Sequence, residues 1–305
     1  MRQSCRSLLE EFKQKGQKLE GRKLQFTGIG DRDVYNITAP FWDQEELVIA
    51  GRVEARDSEE SAVYFFVEKD GIWSPRPGTP VFRLQDPFVT RIGDELIFGG
   101  VETFPHPSVP GSLGWRTNLY RGTTMAALKK FASGPDGMKD LRVVELASGK
   151  IGVFTRPQGK LGGRGTIGFT VVETLEHLTL SAIHNAPLLE QFMREEWGGA
   201  NEVHLLENGL LGVLGHIAYF DHEGVRHYYP MVFCLDPDNV ETSPMRLIAT
   251  RANFPDGPSK RPDLEDVVFS GGLRRLSDGR ATFYAGISDA EAHYLDMADP
   301  FLEFL

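Results

Sequence analysis

A pair of short segments recurs five times along this chain, and the repeat restricts the fold more than any other feature. Each unit has an extended segment, a turn, and then an apolar strand that ends in a polar or small residue. The paired positions lie 15 or 16 residues apart in every unit. They are Asn36 and Arg52, Asp86 and Glu102, Asp140 and Arg156, Asn201 and His216, and Gly271 and Ile287. Such regular spacing indicates one supersecondary unit used repeatedly.

The residues between these positions predict strands and turns. Segments rich in β-branched and aromatic residues occur at 47–50, 62–67, 96–98, 151–154 and 282–285. Turn pairs such as Asp70-Gly71, Asn208-Gly209 and Asp278-Gly279 lie near them. Helical patterning is limited to the first 20 residues and to one or two turns at 125–130. The chain is therefore predicted to be all-β after a short N-terminal helix.

Five units of roughly 50–70 residues account for the rest of the chain, which is long enough for propeller blades with extended loops. A radial array also protects strand edges, which an all-β protein must do. We therefore predict a five-bladed β-propeller with a short N-terminal helix. It forms a single domain over residues 1–305, with 1–20 as a helical extension. A β-sandwich with accidental spacing is the alternative.

Composition excludes several functional classes. The net charge of −10 argues against a general nucleic-acid binder, which needs a basic face to neutralise phosphates. No apolar run reaches the length of a membrane span or a signal peptide. The two cysteines, Cys5 and Cys234, are far apart and fit a reducing compartment. We expect a cytoplasmic protein without nucleic-acid or membrane partners; its oligomeric state stays open.

In a propeller the innermost strand of every blade faces one central channel, so polar residues from distant parts of the chain meet there. The first segments contribute Asn36, Asp86, Lys139, Asp140, Asn201 and Glu202, and the second segments contribute Arg52, Arg156, His216 and Asp289. So many polar groups around one axis suit a polyol such as a sugar. Two arginines among them also suit a small oxyanion, which they would bind by bidentate contacts.

Five of these residues also have a purely structural interpretation. Asp86 precedes Pro87 and would in that case only start a strand. Arg52 and Arg156 would be salt-bridge partners between blades, and Glu202 would pair with Arg156. His216 would be a core histidine with satisfied hydrogen bonds.

Two weaker motifs carry no predicted function. Residues 163–168 fit the pattern GxGxxG, but they lead into a predicted strand, whereas a dinucleotide site opens a helix. His222 and His227 lie in a turn-rich segment without a third ligand nearby, so no metal site is predicted.

The ordered set of blade segments resembles the β-mannoside phosphorylases with five-bladed propellers and their protozoan mannosyltransferase/phosphorylase relatives. The resemblance extends from about residue 34 to residue 305. No single segment is specific for this family, but the occurrence of all the segments in this order is. The matching segments are Gln85-Asp86-Pro87; Ala50-Gly51-Arg52-Val53 with Arg56-Asp57-Ser58; Lys139-Asp140 with 153–157; Gly199-Ala200 with Gly215-His216; and 267–269 with 284–289.

The resemblance implies an inverting enzyme in which one aspartate donates a proton and phosphate is the nucleophile. Asp86 would be the proton donor, acting directly or through a sugar hydroxyl. Phosphate would be bound by Arg52, Lys139, Arg156 and His216, and the sugar by Asn36, Asp140, Asn201, Glu202 and Asp289. No cofactor is expected; phosphate or a sugar phosphate is a co-substrate, and GDP-mannose is a possible donor.

Two alternatives remain. A propeller glycoside hydrolase would need a second carboxylate, Asp140 or Glu202, beside Asp86. Arabinanase- and invertase-type propellers carry a carboxylate at the start of the first blade, where this chain has Asn36, which cannot serve as base or nucleophile. The other alternative is a propeller that binds a sugar without catalysis.

Overall fold

The computed structural model describes residues 2–16 and 18–305, and most of its regular structure is β. The α-helices are α1 (Cys5–Gln14), α2 (Gly159–Gly162) and α3 (Leu180–His184). Single turns of 3₁₀-helix occur at Met125–Ala127, Leu175–His177, Arg251–Asn253, Pro262–Leu264 and Leu302–Phe304.

The strands follow one another in groups. They are β1 (Arg22–Lys23), β2 (Gln25–Phe26), β3 (Asp33–Tyr35), β4 (Phe41–Asp43), β5 (Glu46–Glu54), β6 (Ala62–Lys69) and β7 (Ile72–Pro75); β8 (Gln85–Ile92), β9 (Glu95–Pro105), β10 (Leu113–Gly122) and β11 (Lys129–Ser133); β12 (Arg142–Glu145), β13 (Ile151–Thr155) and β14 (Gly168–Val172); β15 (Trp197–Leu205), β16 (Leu211–Phe220), β17 (Arg226–Leu235) and β18 (Arg246–Leu247); and β19 (Asp266–Arg275), β20 (Arg280–Ile287) and β21 (Glu291–Ala298). All the segments predicted as strands lie within these bounds.

Antiparallel meanders are the building unit of the sheets. The strand orders are β3-β5-β6-β7, β8-β9-β10-β11, β12-β13-β14, β15-β16-β17-β18 and β19-β20-β21-β1. The last two meanders form one sheet through a short parallel pairing of β17 with β19. The N-terminal strand β1 pairs with β21, so the start of the chain supplies the outer strand of the final meander.

Each meander contacts the next, and the last contacts the first. Strand β8 touches β5 and β12, β12 touches β15, and β15 touches β19. Strand β3 in turn touches β20 and β21. The order of contacts therefore closes on itself, and the first strands of the meanders lie on its inner side.

The repeat in the sequence corresponds to a repeated irregularity in these first strands. Asn36, Asp86 and Asp140 all have a left-handed backbone, with φ of 44°, 48° and 54°. Asn201 and Gly271 are each an extra residue in a β-bulge. Bulges redirect side chains and interrupt pairing, and they are frequent beside active sites. Gly271 carries no side chain because a Cβ there would collide with the Ile37 carbonyl.

Hydrophobic clusters lie between neighbouring meanders and hold them together. One contains Phe154, Phe169 and Phe233, and α1 adds Cys5 and Leu8 to it. The predicted N-terminal helix is thus confirmed from residue 5 to residue 14, and it packs on the fourth meander. Met1 and Gln17 of the predicted extension lie outside the described residues.

The prediction of one or two helical turns at 125–130 is only partly correct. A 3₁₀ turn spans Met125–Ala127, and β11 then begins at Lys129. The short helices α2 and α3 were not predicted. None of the described helices is long and apolar enough to cross a membrane.

Candidate functional site

A polar cavity of about 200 Å³ lies where the inner strands converge. All five meanders and two loops contribute to its wall. The lining residues are Asn36, Arg52, Glu59, Gln85, Asp86, Lys139, Asp140, Arg156, His216, Arg226, Tyr228, Arg261, Leu264, Val267, Phe269 and Asp289. Drug-sized pockets measure roughly 300–1,000 Å³, so this cavity suits a smaller ligand. Eight of the ten predicted site residues lie in this wall.

Asp86 is placed in the cavity by the bulge at the start of β8. Register is lost between Gln85 and Phe88, and Pro87 supplies no backbone donor there. The carboxylate is 8% exposed, and its Oδ1 accepts hydrogen bonds from Asn36 Nδ2 at 2.8 Å and Arg52 NH1 at 3.1 Å. Burial alone would raise the pKa of Asp86. Arg52, Lys139 and the bond from Asn36 together outweigh burial, so the pKa lies below its usual value.

Arg52 is held in position by Tyr35 and Glu54 as well as by Asp86. Its guanidinium lies 4.8 Å from the centre of the Tyr35 ring, and its NH2 is 2.7 Å from Glu54 Oε2. Glu54 is 1% exposed and also accepts a hydrogen bond from the Tyr35 hydroxyl at 2.7 Å. Lys260 forms a second ion pair with Glu54. This buried carboxylate therefore orients two cations beside the cavity.

Asp140 organises the opposite wall. Its two oxygens lie 3.3 Å from Arg142 NH2 and 3.5 Å from Arg156 NH1. Arg156 also donates from Nε to the Gly198 carbonyl at 2.8 Å. Space for this arginine is provided by glycine: a Cβ on Gly165 would lie 2.7 Å from Arg156 Nε. The GxGxxG segment is a loop before β14, as predicted, and its middle glycine makes room for Arg156.

Lys139 is the cation in this wall without a close counter-ion. No carboxylate among the described residues lies within salt-bridge distance of its ammonium group, and the Trp115 ring is 5.9 Å away. Burial and the neighbouring Arg52 and Arg156 lower the pKa of Lys139, and Asp86 and Asp140 oppose that shift. An ammonium in this setting favours an added anion, because the anion would supply the missing opposite charge.

His216 is a neutral group in this wall. It is 2% exposed, its Nδ1 lies 2.8 Å from Asn201 Oδ1, and its ring stacks on Tyr228 with a centroid distance of 5.6 Å. Burial, above all, lowers the pKa of His216 to about 4. The imidazole therefore offers hydrogen bonds rather than positive charge at neutral pH.

Two of the predicted residues do not reach the cavity, which corrects their predicted location. Asn201 is buried behind His216 and positions its ring. Glu202 follows the extra residue of the bulge and does not line the cavity. Its carboxylate binds His204 Nε2 at 2.8 Å and the Leu273 amide at 2.6 Å. Glu202 is therefore not available to pair with Asp86 or Arg156.

Asp289 contrasts with Asp86, although both lie in the same cavity. It has a left-handed φ of 51° in the turn after β20. Burial, chiefly, raises the pKa of Asp289; Asp86 and Glu54 add to the shift, and Arg52 and Lys260 oppose it. One carboxyl of the cavity is thus biased toward ionisation and the other toward the neutral form.

Several lining residues were not predicted from the sequence. Arg226 and Tyr228 belong to the third strand of their meander, and Glu59 and Arg261 belong to loops. The repeat gave no indication of them, because it covers only first and second strands. The sequence feature that could have indicated a loop residue of the site is the pair of adjacent cations Lys260 and Arg261, which lie in an otherwise Pro- and Gly-rich connection.

Known proteins resemble this chain over nearly its whole length. Residues 10–303 match the family described as protein of unknown function DUF1861. No curated protein matches the sequence. A mannose phosphorylase from Leishmania mexicana, solved with phosphate ion, is 34% identical over 97% of this chain and 93% of its own, with a TM-score of 0.89.

Two further solved structures extend the comparison. A GDP-Man-dependent mannosyltransferase from Leishmania mexicana is 30% identical over 98% of this chain and 95% of its own, with a TM-score of 0.88. A β-1,2-mannobiose phosphorylase from Listeria innocua shares the fold at 16% identity and a TM-score of 0.59, covering 89% of this chain and 92% of its own. The chain therefore belongs to the DUF1861 family and to the same family as the Leishmania mannose phosphorylase and mannosyltransferase.

Proposed function

We propose that this protein is an inverting β-mannoside phosphorylase, in which the five meanders are the blades of one propeller domain. Its substrates would be short β-linked manno-oligosaccharides and inorganic phosphate. In the reverse direction mannose 1-phosphate would be the donor. The observation that carries the proposal is Asp86, which accepts hydrogen bonds from Asn36 and Arg52 in a small polar cavity that Lys139 and Arg156 also line.

In the proposed reaction the acid and the phosphate act on the two sides of the bond that breaks. Asp86 gives its proton to the glycosidic oxygen, directly or through a sugar hydroxyl, as the bond from that oxygen to C1 breaks. A phosphate oxygen attacks C1 from the opposite face and forms the new bond, so a β-mannoside gives α-mannose 1-phosphate. The proton on the attacking hydrogen phosphate is then free to restore Asp86. An anionic nucleophile needs no carboxylate base, which agrees with Asn36 beside Asp86.

The electrostatics of the cavity are consistent with phosphate as co-substrate. In the empty cavity the nearby cations hold the pKa of Asp86 low, which is unfavourable for a proton donor. A phosphate anion beside Arg52 and Lys139 would offset their charge and raise the pKa of Asp86 again. Phosphate binding would thereby determine how strong an acid Asp86 is.

The other polar groups would bind the sugar. Asn36, Asp140 and Asp289 present amide and carboxyl groups to the cavity, and such groups orient hydroxyls. The Tyr228 and Phe269 rings provide apolar surface in the same wall. The two Leishmania relatives, one a phosphorylase and one a mannosyltransferase, support mannose as the transferred unit.

The test is incubation with β-1,2-mannobiose in the presence and absence of phosphate. We expect mannose 1-phosphate only when phosphate is present. Release of free mannose at equal rates in both samples would identify a hydrolase instead. Absence of any turnover, including transfer from mannose 1-phosphate or GDP-mannose, with sugar binding retained in Asp86→Asn, would indicate a binding protein.

A further inference from the structure

A carboxylate from a surface loop lies against the cations of the cavity. Glu59 belongs to the loop between β5 and β6, and its side chain is 53% exposed. Even so, it contributes to the cavity wall. Its Oε1 lies 3.0 Å from Lys260 Nζ and 3.4 Å from Arg261 NH1, and its Oε2 lies 3.7 Å from Arg52 NH2. One loop side chain thus faces three positive charges.

Glu59 differs from Glu54, which contacts two of the same cations, Arg52 and Lys260. Glu54 is 1% exposed and also bound by the Tyr35 hydroxyl, so it is a fixed part of the structure. Glu59 is half exposed, and its carboxylate contacts only Arg52, Lys260 and Arg261 among the described side chains. Water reaches the Glu59 carboxylate, although Arg52 and Lys260 are buried, so Glu59 is exchanged more easily than Glu54.

The arrangement also fits the chemistry of a competing anion. Phosphate has four oxygens and up to two charges, and guanidinium groups bind it through paired hydrogen bonds. Arg52 belongs to the phosphate site proposed above, and Arg261 lies in the same cavity wall, so a phosphate bound at Arg52 would compete with Glu59 for both. Because Glu59 and phosphate are both negative, they cannot share these cations without repulsion.

We propose that Glu59 is an internal placeholder for the phosphate group, occupying its cations in the free protein and leaving when phosphate enters. The proposal rests on the phosphorylase function proposed above and adds a residue that sets phosphate affinity. Phosphate binds only after Glu59 has left, and the free energy of this displacement lowers its apparent affinity. The same holds for any protein whose binding-competent state is only partly populated. The phosphate KM is therefore higher than the cations alone would give.

The test compares Glu59→Gln with Glu60→Gln in the full chain. Both variants remove one negative charge from the same loop, but no ion pair to Glu60 is found among the described residues. Phosphate affinity is measured by calorimetry with inorganic phosphate as the probe. We expect Glu59→Gln to bind phosphate about tenfold more tightly than the wild type, with a matching fall in the phosphate KM. Glu60→Gln should stay within about twofold.

Each of the following results would overturn the proposal. An equal gain in both variants would mean that only net charge matters. Weaker binding in Glu59→Gln would mean that Glu59 helps to build the phosphate site. Loss of a phosphate-independent release of mannose in Glu59→Gln would mean that Glu59 acts as a base. If neither the wild type nor Glu59→Gln binds phosphate, the phosphorylase function fails as well, whereas equal binding by both removes only the placeholder.

Discussion

Replacing Asp86 with asparagine separates catalysis from anion binding. The amide has nearly the same shape as the carboxylate, and its oxygen still accepts the bonds from Asn36 and Arg52. It removes the acidic proton and one negative charge from the centre of the cavity. Turnover and phosphate affinity should therefore change in opposite directions.

The size of each change follows from the geometry. Loss of a positioned general acid lowers rates by about 10²- to 10⁴-fold. Asp86 lies 3.1 Å from Arg52, so an anion bound by the same arginine would be within roughly 5 Å of the carboxylate. At an effective dielectric constant of about 20, two unit charges at that distance repel by about 3 kcal/mol. We expect Asp86→Asn to gain about half of this energy in phosphate binding, which corresponds to roughly tenfold tighter binding.

The assay measures phosphorolysis of β-1,2-mannobiose and, separately, phosphate binding by calorimetry. Asp289→Asn is the matched control, because burial already biases that carboxyl toward its neutral form and the charge changes less. We expect its phosphate affinity to change less than that of Asp86→Asn. The reasoning is refuted if Asp86→Asn keeps more than about a tenth of wild-type turnover, or if it binds phosphate more weakly.

Three more predictions concern the surrounding residues. Glu54→Gln should lower the free energy of unfolding by about 3–5 kcal/mol in urea titrations, because it leaves two buried cations without their shared carboxylate; a loss below 1 kcal/mol would contradict this. Gly165→Ala should weaken phosphate binding more than Gly163→Ala does, because both positions have a positive φ but only at residue 165 would the new Cβ meet Arg156; equal effects would argue against a role for Arg156. The folded-state pKa of His216, about 4, lies below the unfolded value near 6.5, so its stabilisation is present above pH 6.5 and is lost as the pH falls toward 4. In urea titrations across that range, the free energy of unfolding should fall less for His216→Gln than for the wild type. An equal fall in both proteins would contradict the lowered pKa of His216.

The sequence predicted the all-β pattern because strand and turn signals are local. It also located Asp86, because the repeat places one residue of each unit at an irregular point of an inner strand. The same regularity misplaced Glu202: side chains of a regular strand alternate between its two faces, the bulge at Asn201 interrupts this alternation, and no pattern in the sequence marks the extra residue. Backbone irregularities of one residue decide which side chain faces a cavity.

The loop residues of the site were beyond prediction for a different reason. Glu59 and Arg261 are 202 positions apart and meet only because the fifth meander returns to the first. Their contact depends on closure of the whole fold. The role of Gly165 could not be predicted either. This glycine leaves space for Arg156, and its neighbours in the sequence do not show that Arg156 packs against it.

The anomeric configuration of the product tests the central claim most directly. β-1,2-Mannobiose is incubated with the wild-type protein and phosphate, and the products are followed by phosphorus and proton NMR. We predict α-mannose 1-phosphate, formed as phosphate is consumed. Formation of the β anomer, or of free mannose with phosphate unchanged, would contradict an inverting reaction in which phosphate is the nucleophile and Asp86 the acid.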